Sequence, residues 1–292
     1  MLYFTESDVR RLLPMNVAVE AMRSCFSALT RGEAQNQPRR RLFLKTGAVL
    51  HSLAGSFGNY FGTKIYSTHP KFGAYFTFLL YAAETGEPLA QFAANYLGQI
   101  RTGAASGLAV DLLAPKDVNV LAVIGSGFQA QSQLDAMRAV RSFKKIRVWS
   151  RHPDKSRAFA DANGIEAVAT AEQAVRGADV ITTATSSKDP VLESAWVENH
   201  AVIAAMGSNQ PQRRELSADL IHRAKLLVVD HKEQAKLEAG DLIMADVDWT
   251  QVVELQAVQD AANGLAIFKS IGLGVEDVAA AAAVYERATL GP

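Results

Sequence analysis

VLAVIGSGFQAQSQLDAMRAV, residues 120–140, and KKIRVWSR, residues 144–151, carry the pattern on which the fold turns. An apolar run, Val120 to Ile124, enters the turn Gly125-Ser126-Gly127-Phe128-Gln129-Ala130. Helical spacing follows, and a second apolar run ends at Trp149-Ser150-Arg151. The order is strand, tight turn, helix, strand. In such a unit a pyrophosphate rests on backbone N–H groups at the helix N-terminus. Gly125 permits the turn, Gly127 lets the backbone approach the phosphates, and Ala130 keeps helix and sheet close. Phe128 and Gln129 complete the candidate phosphate-binding turn. The G-x-G-x-x-A spacing alone is a weak signal, because small residues are common in tight turns. With a strand before it and a helix after it, nucleotide binding outweighs a plain structural turn.

The second strand ends in Ser150 and Arg151, where NAD sites usually place Asp or Glu to hold the ribose hydroxyls. A carboxylate repels a 2′-phosphate, whereas a guanidinium beside a hydroxyl receives it. The alternative is that Arg151 is only a surface residue after a strand. The chemistry favours NADP(H) over NAD(H).

Composition narrows the class. A chain of 292 residues, 49% hydrophobic and 21% charged, can bury a sizeable core, as one large domain or two. Thirty basic and thirty acidic side chains cancel, so no basic field points to nucleic acid. The single Cys25 excludes an intrachain disulfide and a cysteine-based metal cluster, and its apolar helical setting suggests a buried structural thiol. Six scattered histidines show no metal-ligand spacing, so no metal is expected. MLYFTESDVRRLL does not read as a secretory signal, and no apolar run reaches transmembrane length. The expectation is a soluble cytoplasmic protein without membrane or nucleic-acid partners.

Around the central unit the pattern changes twice. Thr5 to Arg31 reads as helix, with Thr5 as a cap and Pro14 in the first turn of a second piece. From Arg39 to Ala94, short β-rich runs are punctuated by glycine, and Glu84-Thr85-Gly86-Glu87 reads as a hairpin turn in a mostly antiparallel sheet. Tyr96 to Leu113 returns to helix, ended by Pro115. Beyond Asp117, strands at 118–124, 146–149, 179–184, 201–205 and 226–229 alternate with helices, the rhythm of a parallel sheet. The alanine-rich helix in GVEDVAAAAAVYERA most simply packs back on the first domain.

Several segments together resemble the ornithine cyclodeaminase/mu-crystallin family. They are FGTKIYSTHP (61–70), ETGEPLA (84–90), GQIRTGAASGLA (98–109), the AVIGSGFQAQ turn, TTATSS (182–187), MGSNQPQRREL (206–216), VVDHKEQAKLEAGD (228–241) and FKSIGLGVEDVAAA (268–281). The resemblance implies an α/β chain with a Rossmann-type domain, residues 114–270. It also implies a β-rich α+β substrate and dimerisation domain from both chain ends, residues 1–113 with 271–292, in a homodimer. Cyclodeaminases of the family carry an Asp base in a G-x-D-x-P-G-K-x-E-L motif. Asn209 stands at that place here, and an amide is no base at neutral pH. Loss of the base and the Ser150-Arg151 pair both suggest a reductase acting on a cyclic ketimine carboxylate, Δ1-pyrroline-2-carboxylate or Δ1-piperideine-2-carboxylate. The resemblance leaves open ornithine cyclodeamination, alanine dehydrogenase activity, and non-catalytic storage of NADPH or another small molecule.

The resemblance also assigns residues. Lys64, on the strand face shared by Tyr66 and Thr68, would hold the substrate carboxylate; read alone it is more often a solvated strand residue. Arg39 would assist, with Arg41 as an alternative one face-repeat away. Arg101 and Thr102, placed at a helix start, would clamp the diphosphate. Thr183, Ala184 and Thr185, and likewise Met206, Gly207 and Asn209 (with Ser208 between), follow parallel strands, where ligands bind. Ser270 would reach the nicotinamide end. Asp230 beside His231 is read as structural, since strand neighbours point to opposite faces.

Overall fold

In a computed structural model describing residues 1–291, the chain divides into two compact units: Met1–Ala104 with the segment from Gly272 onward, and Ala105–Ile271. The division falls inside a helix and not after Leu113. The second half of that helix is packed tightly within the second unit: a Cβ on Gly107 would lie 3.1 Å from the Ala136 side chain.

The first unit holds β1 (Leu2–Phe4), α1 (Glu6–Leu12), α2 (Met15–Thr30), β2 (Ala34–Phe43), β3 (Val49–Phe57), β4 (Tyr60–His69), β5 (Gly73–Ala82) and β6 (Pro88–Ala93). α3 (Asn95–Leu113) begins there, and a C-terminal helix, Gly274–Thr289, returns to it. Thr5 starts α1 through a reciprocal cap with Asp8. Six strands form one sheet in the order β1-β6-β5-β4-β3-β2, antiparallel except for β1 along β6. The register sets Leu53, Lys64, Phe78 and Phe92 in one row across four strands. All four are buried, so Lys64 sits in a hydrophobic row on the covered face. The C-terminal helix covers that face so closely that glycine is required: a Cβ on Gly55 would lie 2.6 Å from the Val275 backbone.

The second unit holds β7 (Val120–Ile124), α4 (Phe128–Val140), β8 (Lys145–Trp149), α5 (Pro153–Asn163), β9 (Glu166–Ala167), α6 (Ala171–Val175) and β10 (Val180–Thr183). It continues with β11 (Val202–Ala205), α7 (Ala218–Arg223), β12 (Leu226–Val229), α8 (Lys232–Glu238), α9 (Gly240–Ile243), β13 (Val253–Glu254) and β14 (Ala266–Lys269). Eight parallel strands run in the order β13-β12-β14-β11-β10-β7-β8-β9. The central strands β7 and β11 are buried apolar runs, as a sheet covered on both faces demands, and β10 is equally buried with its two threonines hydrogen-bonded. From β7 the chain moves outward to β8 and β9, then returns to add β10 on the other side. The strand order therefore reverses between β7 and β10, which opens a crevice beyond their carboxyl ends.

Candidate active site

The crevice in the second unit is built from the glycine turn. Gly125 has φ +118°, and a Cβ there would lie 2.5 Å from the Ala184 carbonyl oxygen. Only glycine lets the ends of β7 and β10 cross so closely. Gly127 has the opposite surroundings: nothing lies within 4 Å of the position its Cβ would take. As N-cap of α4 it also brings no side chain to the first-turn N–H groups. Ala130 is fully buried under the turn. These features fit a pyrophosphate, which needs open space above backbone donors at a helix N-terminus. A cleft of about 310 Å³ joins Gly125, Ser126 and Gly127 to Ser150, Arg151 and Lys155, and reaches Ala184 and Thr185 across the sheet. The Ser126 hydroxyl donates to Ser150 Oγ at 2.8 Å, and Ser150 donates to the His152 carbonyl at 3.1 Å. Arg151 and Lys155 are exposed on its wall. Phe128 and Gln129 open α4 directly after the turn.

Other residues expected at the cofactor are engaged elsewhere. Thr183 is wholly buried, and its hydroxyl donates to Glu215 Oε2 at 2.7 Å. Thr185 donates to Glu215 Oε1 through both N and Oγ1, and the Gly207 N–H donates to Oε2 at 2.8 Å. One buried carboxylate thus ties the segments after β10 and β11 together. Thr183, Met206, Gly207 and Asn209 do not line the cleft. The Thr183 hydroxyl and the Gly207 N–H are committed to Glu215 instead. Burial raises the Glu215 pKa, against the opposing charge of Lys269. Ser270 is also buried, bonded through Oγ to Asp230 at 3.3 Å. Asp230 further accepts the N–H groups of His231 and Ile271, which makes it a loop anchor.

Arg101 and Thr102 do not form an N-terminal clamp. α3 starts at Asn95, so both lie in its second turn, and Thr102 Oγ1 donates to the Gly98 carbonyl at 2.7 Å. The helix start is taken by Glu6, whose carboxylate accepts from the N–H groups of Asn95 and Tyr96. Arg101 instead joins a buried ion cluster in the first unit. Its Nη1 meets Glu276 at 2.8 Å and its Nε meets Asp277 at 3.0 Å. Asp277 also pairs with Lys64 Nζ at 2.7 Å. Burial, then the Arg101 charge, pulls Lys64 down to about 8, with Asp277 opposing. The same two carboxylates outweigh burial at Arg101 and push its pKa up.

The register of β2 shifts between Gln37 and Arg40, and Arg39 Nη2 donates to the Gly272 carbonyl at 3.2 Å. Arg41 stands instead in the row of His51, Tyr66 and Phe76. The charge of Arg39 is felt by Lys64.

Sequence reading missed Asp277, Glu276, Glu215 and Lys155. Two adjacent carboxylates opening an otherwise apolar helix were the available signal for the first two. Among the described residues, no group of three or more His, Cys, Asp or Glu side chains is arranged to hold a metal, and no helix is long and apolar enough to cross a membrane.

The model of the ornithine cyclodeaminase/mu-crystallin family matches residues 2–291. The ketimine reductase mu-crystallin of Mus musculus is 34% identical, over 73% of this chain and 69% of its own. The fold is similar to Thermococcus litoralis Δ1-pyrroline-2-carboxylate reductase in complex with NADH and L-proline, with TM-score 0.92 and 29% identity, over 99% of this chain and 97% of that one. It is equally similar to an archaeal alanine dehydrogenase dimer with bound NAD, with TM-score 0.92 and 32% identity, over 99% and 96%.

Proposed function

The chain belongs to the ornithine cyclodeaminase/mu-crystallin family, and from that premise we propose that it reduces the C=N bond of a cyclic ketimine carboxylate. The substrates are Δ1-pyrroline-2-carboxylate, giving proline, and Δ1-piperideine-2-carboxylate, giving pipecolate. The observation that carries this reading is the buried pair of cations, Lys64 and Arg101, held against Asp277 and Glu276, with Arg39 nearby. Storing a dinucleotide needs no such pair, whereas anchoring an anionic substrate does. The dinucleotide supplies the hydride. Lys64, as an ammonium, attracts the substrate carboxylate and keeps its donors within reach of the imine. Burial excludes water and strengthens that attraction. Asn209 offers no base, so deamination of ornithine lacks its proton acceptor.

The test is spectrophotometric. NADPH or NADH is mixed with each imine and the loss of reduced-cofactor absorbance is followed. Turnover is expected with a cyclic imine, and Lys64→Ala should lower kcat/KM by about 100-fold, as loss of a charged hydrogen bond implies. Ammonia release from ornithine without added reductant, or turnover only of pyruvate with ammonia, would replace this reading. So would near-normal kinetics of Lys64→Ala.

The cofactor is a nicotinamide dinucleotide, and the finer preference proposed is for NADP(H). Arg151, Lys155 and the Ser150 hydroxyl line the cleft, and no carboxylate is among its lining residues. Arg151→Ala should weaken NADPH binding by about 10-fold or more and leave NADH nearly unchanged, as removal of one charge-assisted contact implies. Equal titration curves for the two cofactors would remove the preference. The assembly proposed is a homodimer, joined through the outward face of the first unit's sheet.

A further inference from the structure

Asp277 stands at the centre of the buried ion cluster, and three elements of the first unit meet there. It lies in the first turn of the C-terminal helix, wholly buried. One carboxylate oxygen pairs with Lys64 of β4 at 2.7 Å and the other accepts from Nε of Arg101 on α3 at 3.0 Å. Glu276 pairs with Arg101 Nη1 at 2.8 Å. Two cations enclosed together repel strongly, and each loses hydration. Asp277 alone contacts both, so it permits them to share the pocket. A lysine stem is flexible, and a bound carboxylate on one side fixes the direction of the remaining N–H donors.

Resting on the imine-reductase reading, we propose that Asp277 is a positioning residue for the reaction. By bridging Lys64 and Arg101 it holds the Lys64 ammonium charged and aimed at the substrate acid group. Asp277 acts through Lys64; the substrate meets Lys64, not Asp277. The groups facing Lys64 are Asp277 and Glu276 of the C-terminal helix, Arg101 of α3 and Arg39 of β2. Cys25 of α2 faces the same carboxylates, and Tyr66 of its own strand has its ring centroid 6.0 Å from Nζ. His51 stacks on that Tyr66 ring. Asp277 is the anion of this set in direct contact with Nζ.

The test titrates Lys64 in the ligand-free protein by NMR of side-chain-labelled lysine, with Lys64→Arg assigning the signal. Asp277→Asn should lower the midpoint by about 1–3 units, the usual effect of one adjacent opposite charge. Glu276→Gln should lower it less, and Asp277→Glu should restore most of it. In turnover of the imine, the alkaline limb of kcat/KM should move down with the midpoint in Asp277→Asn and return in Asp277→Glu. A midpoint and limb that stay in place in Asp277→Asn, or move as far in Glu276→Gln, overturn the proposal. If Asp277→Asn does not fold, the wild-type protein decides: the Asp277 carboxyl signal, assigned with Asp277→Glu, should step at the Lys64 midpoint, and absence of that step overturns it. Failure of every imine to react, with the Lys64 shift present, refutes the substrate reading and leaves the ion bridge standing.

Discussion

His51 shows how burial decides a charge. Its ring stacks on Tyr66 at 4.2 Å between centroids, and Nε2 lies 2.9 Å from Thr68 Oγ1. Burial, and then the charges of Arg41 and Arg39, bring its pKa down from 6.5 to about 4. Between those values the unfolded chain binds a proton that the folded protein refuses. The His51 contribution is therefore complete above pH 6.5 and lost as pH falls toward 4. Urea unfolding at pH 7 and pH 4.5 should show wild type losing more stability than His51→Gln; parallel losses would show that other groups carry the acid slope. At this scale the sequence spoke unevenly. The strain at Gly125 and the exposed strand end at Arg151 are legible because turn geometry and strand ends are local, whereas alternation alone reads Lys64 as a solvated strand residue and only the family resemblance points to it. Glu215 and Asp277 are not legible, because each finds its partners in segments remote along the chain. A carboxylate in a helix gives no local sign of the cation it will meet.

At the scale of elements, local periodicity recovers five of the eight strands of the parallel sheet; it misses the two-residue β9 and β13 and also β14, which lies between β11 and β12. It is four residues long and ends in Lys269, a charge that reads as surface until Asp241 is found 2.8 Å away in the core. The pattern puts the start of α3 near Tyr96, yet it also reads Arg101 as helix-initial, because nothing in the sequence reveals that Glu6 caps that end. Glycines in the antiparallel sheet carry a separate message. At Gly55 an added methyl would meet Val275 N and Cα at 2.6 Å, both backbone atoms that cannot rotate away. The helix would have to lift off β3. Gly55→Ala should therefore destabilise the first unit by about 1–3 kcal/mol, the usual cost of overpacking. Gly86→Ala offers a comparison with no atom within 4 Å, though its φ of +73° carries a strain of its own. Chemical denaturation that finds Gly55→Ala as stable as wild type would mean the helix sits farther from the sheet than described.

At the scale of the whole molecule, among the described residues of the first unit, one face of the antiparallel sheet is covered by helix and side chains on the other are exposed. The register sets Leu42, Leu50, Ser67 and Tyr75 in a row across β2 to β5, with Ile65 on the same face. Tyr75 is 69% exposed and Leu42 60%. Phe61 stacks on Tyr81 on that face as well, at 5.1 Å. A flat, apolar sheet surface of this kind is costly to leave in water and is well suited to self-association about a two-fold axis. The archaeal alanine dehydrogenase of similar fold is itself a dimer. Because a two-fold interface presents each substitution twice, few changes should suffice to break it. Light scattering coupled to size exclusion should give twice the 31.5 kDa chain mass for wild type. Leu50→Lys with Tyr75→Glu should give the single-chain mass, and because neither residue belongs to the ion cluster or the dinucleotide cleft, NADPH binding should persist in the monomer. A wild-type protein that runs at the single-chain mass at every concentration, or a double variant that stays dimeric, would move the interface to another surface.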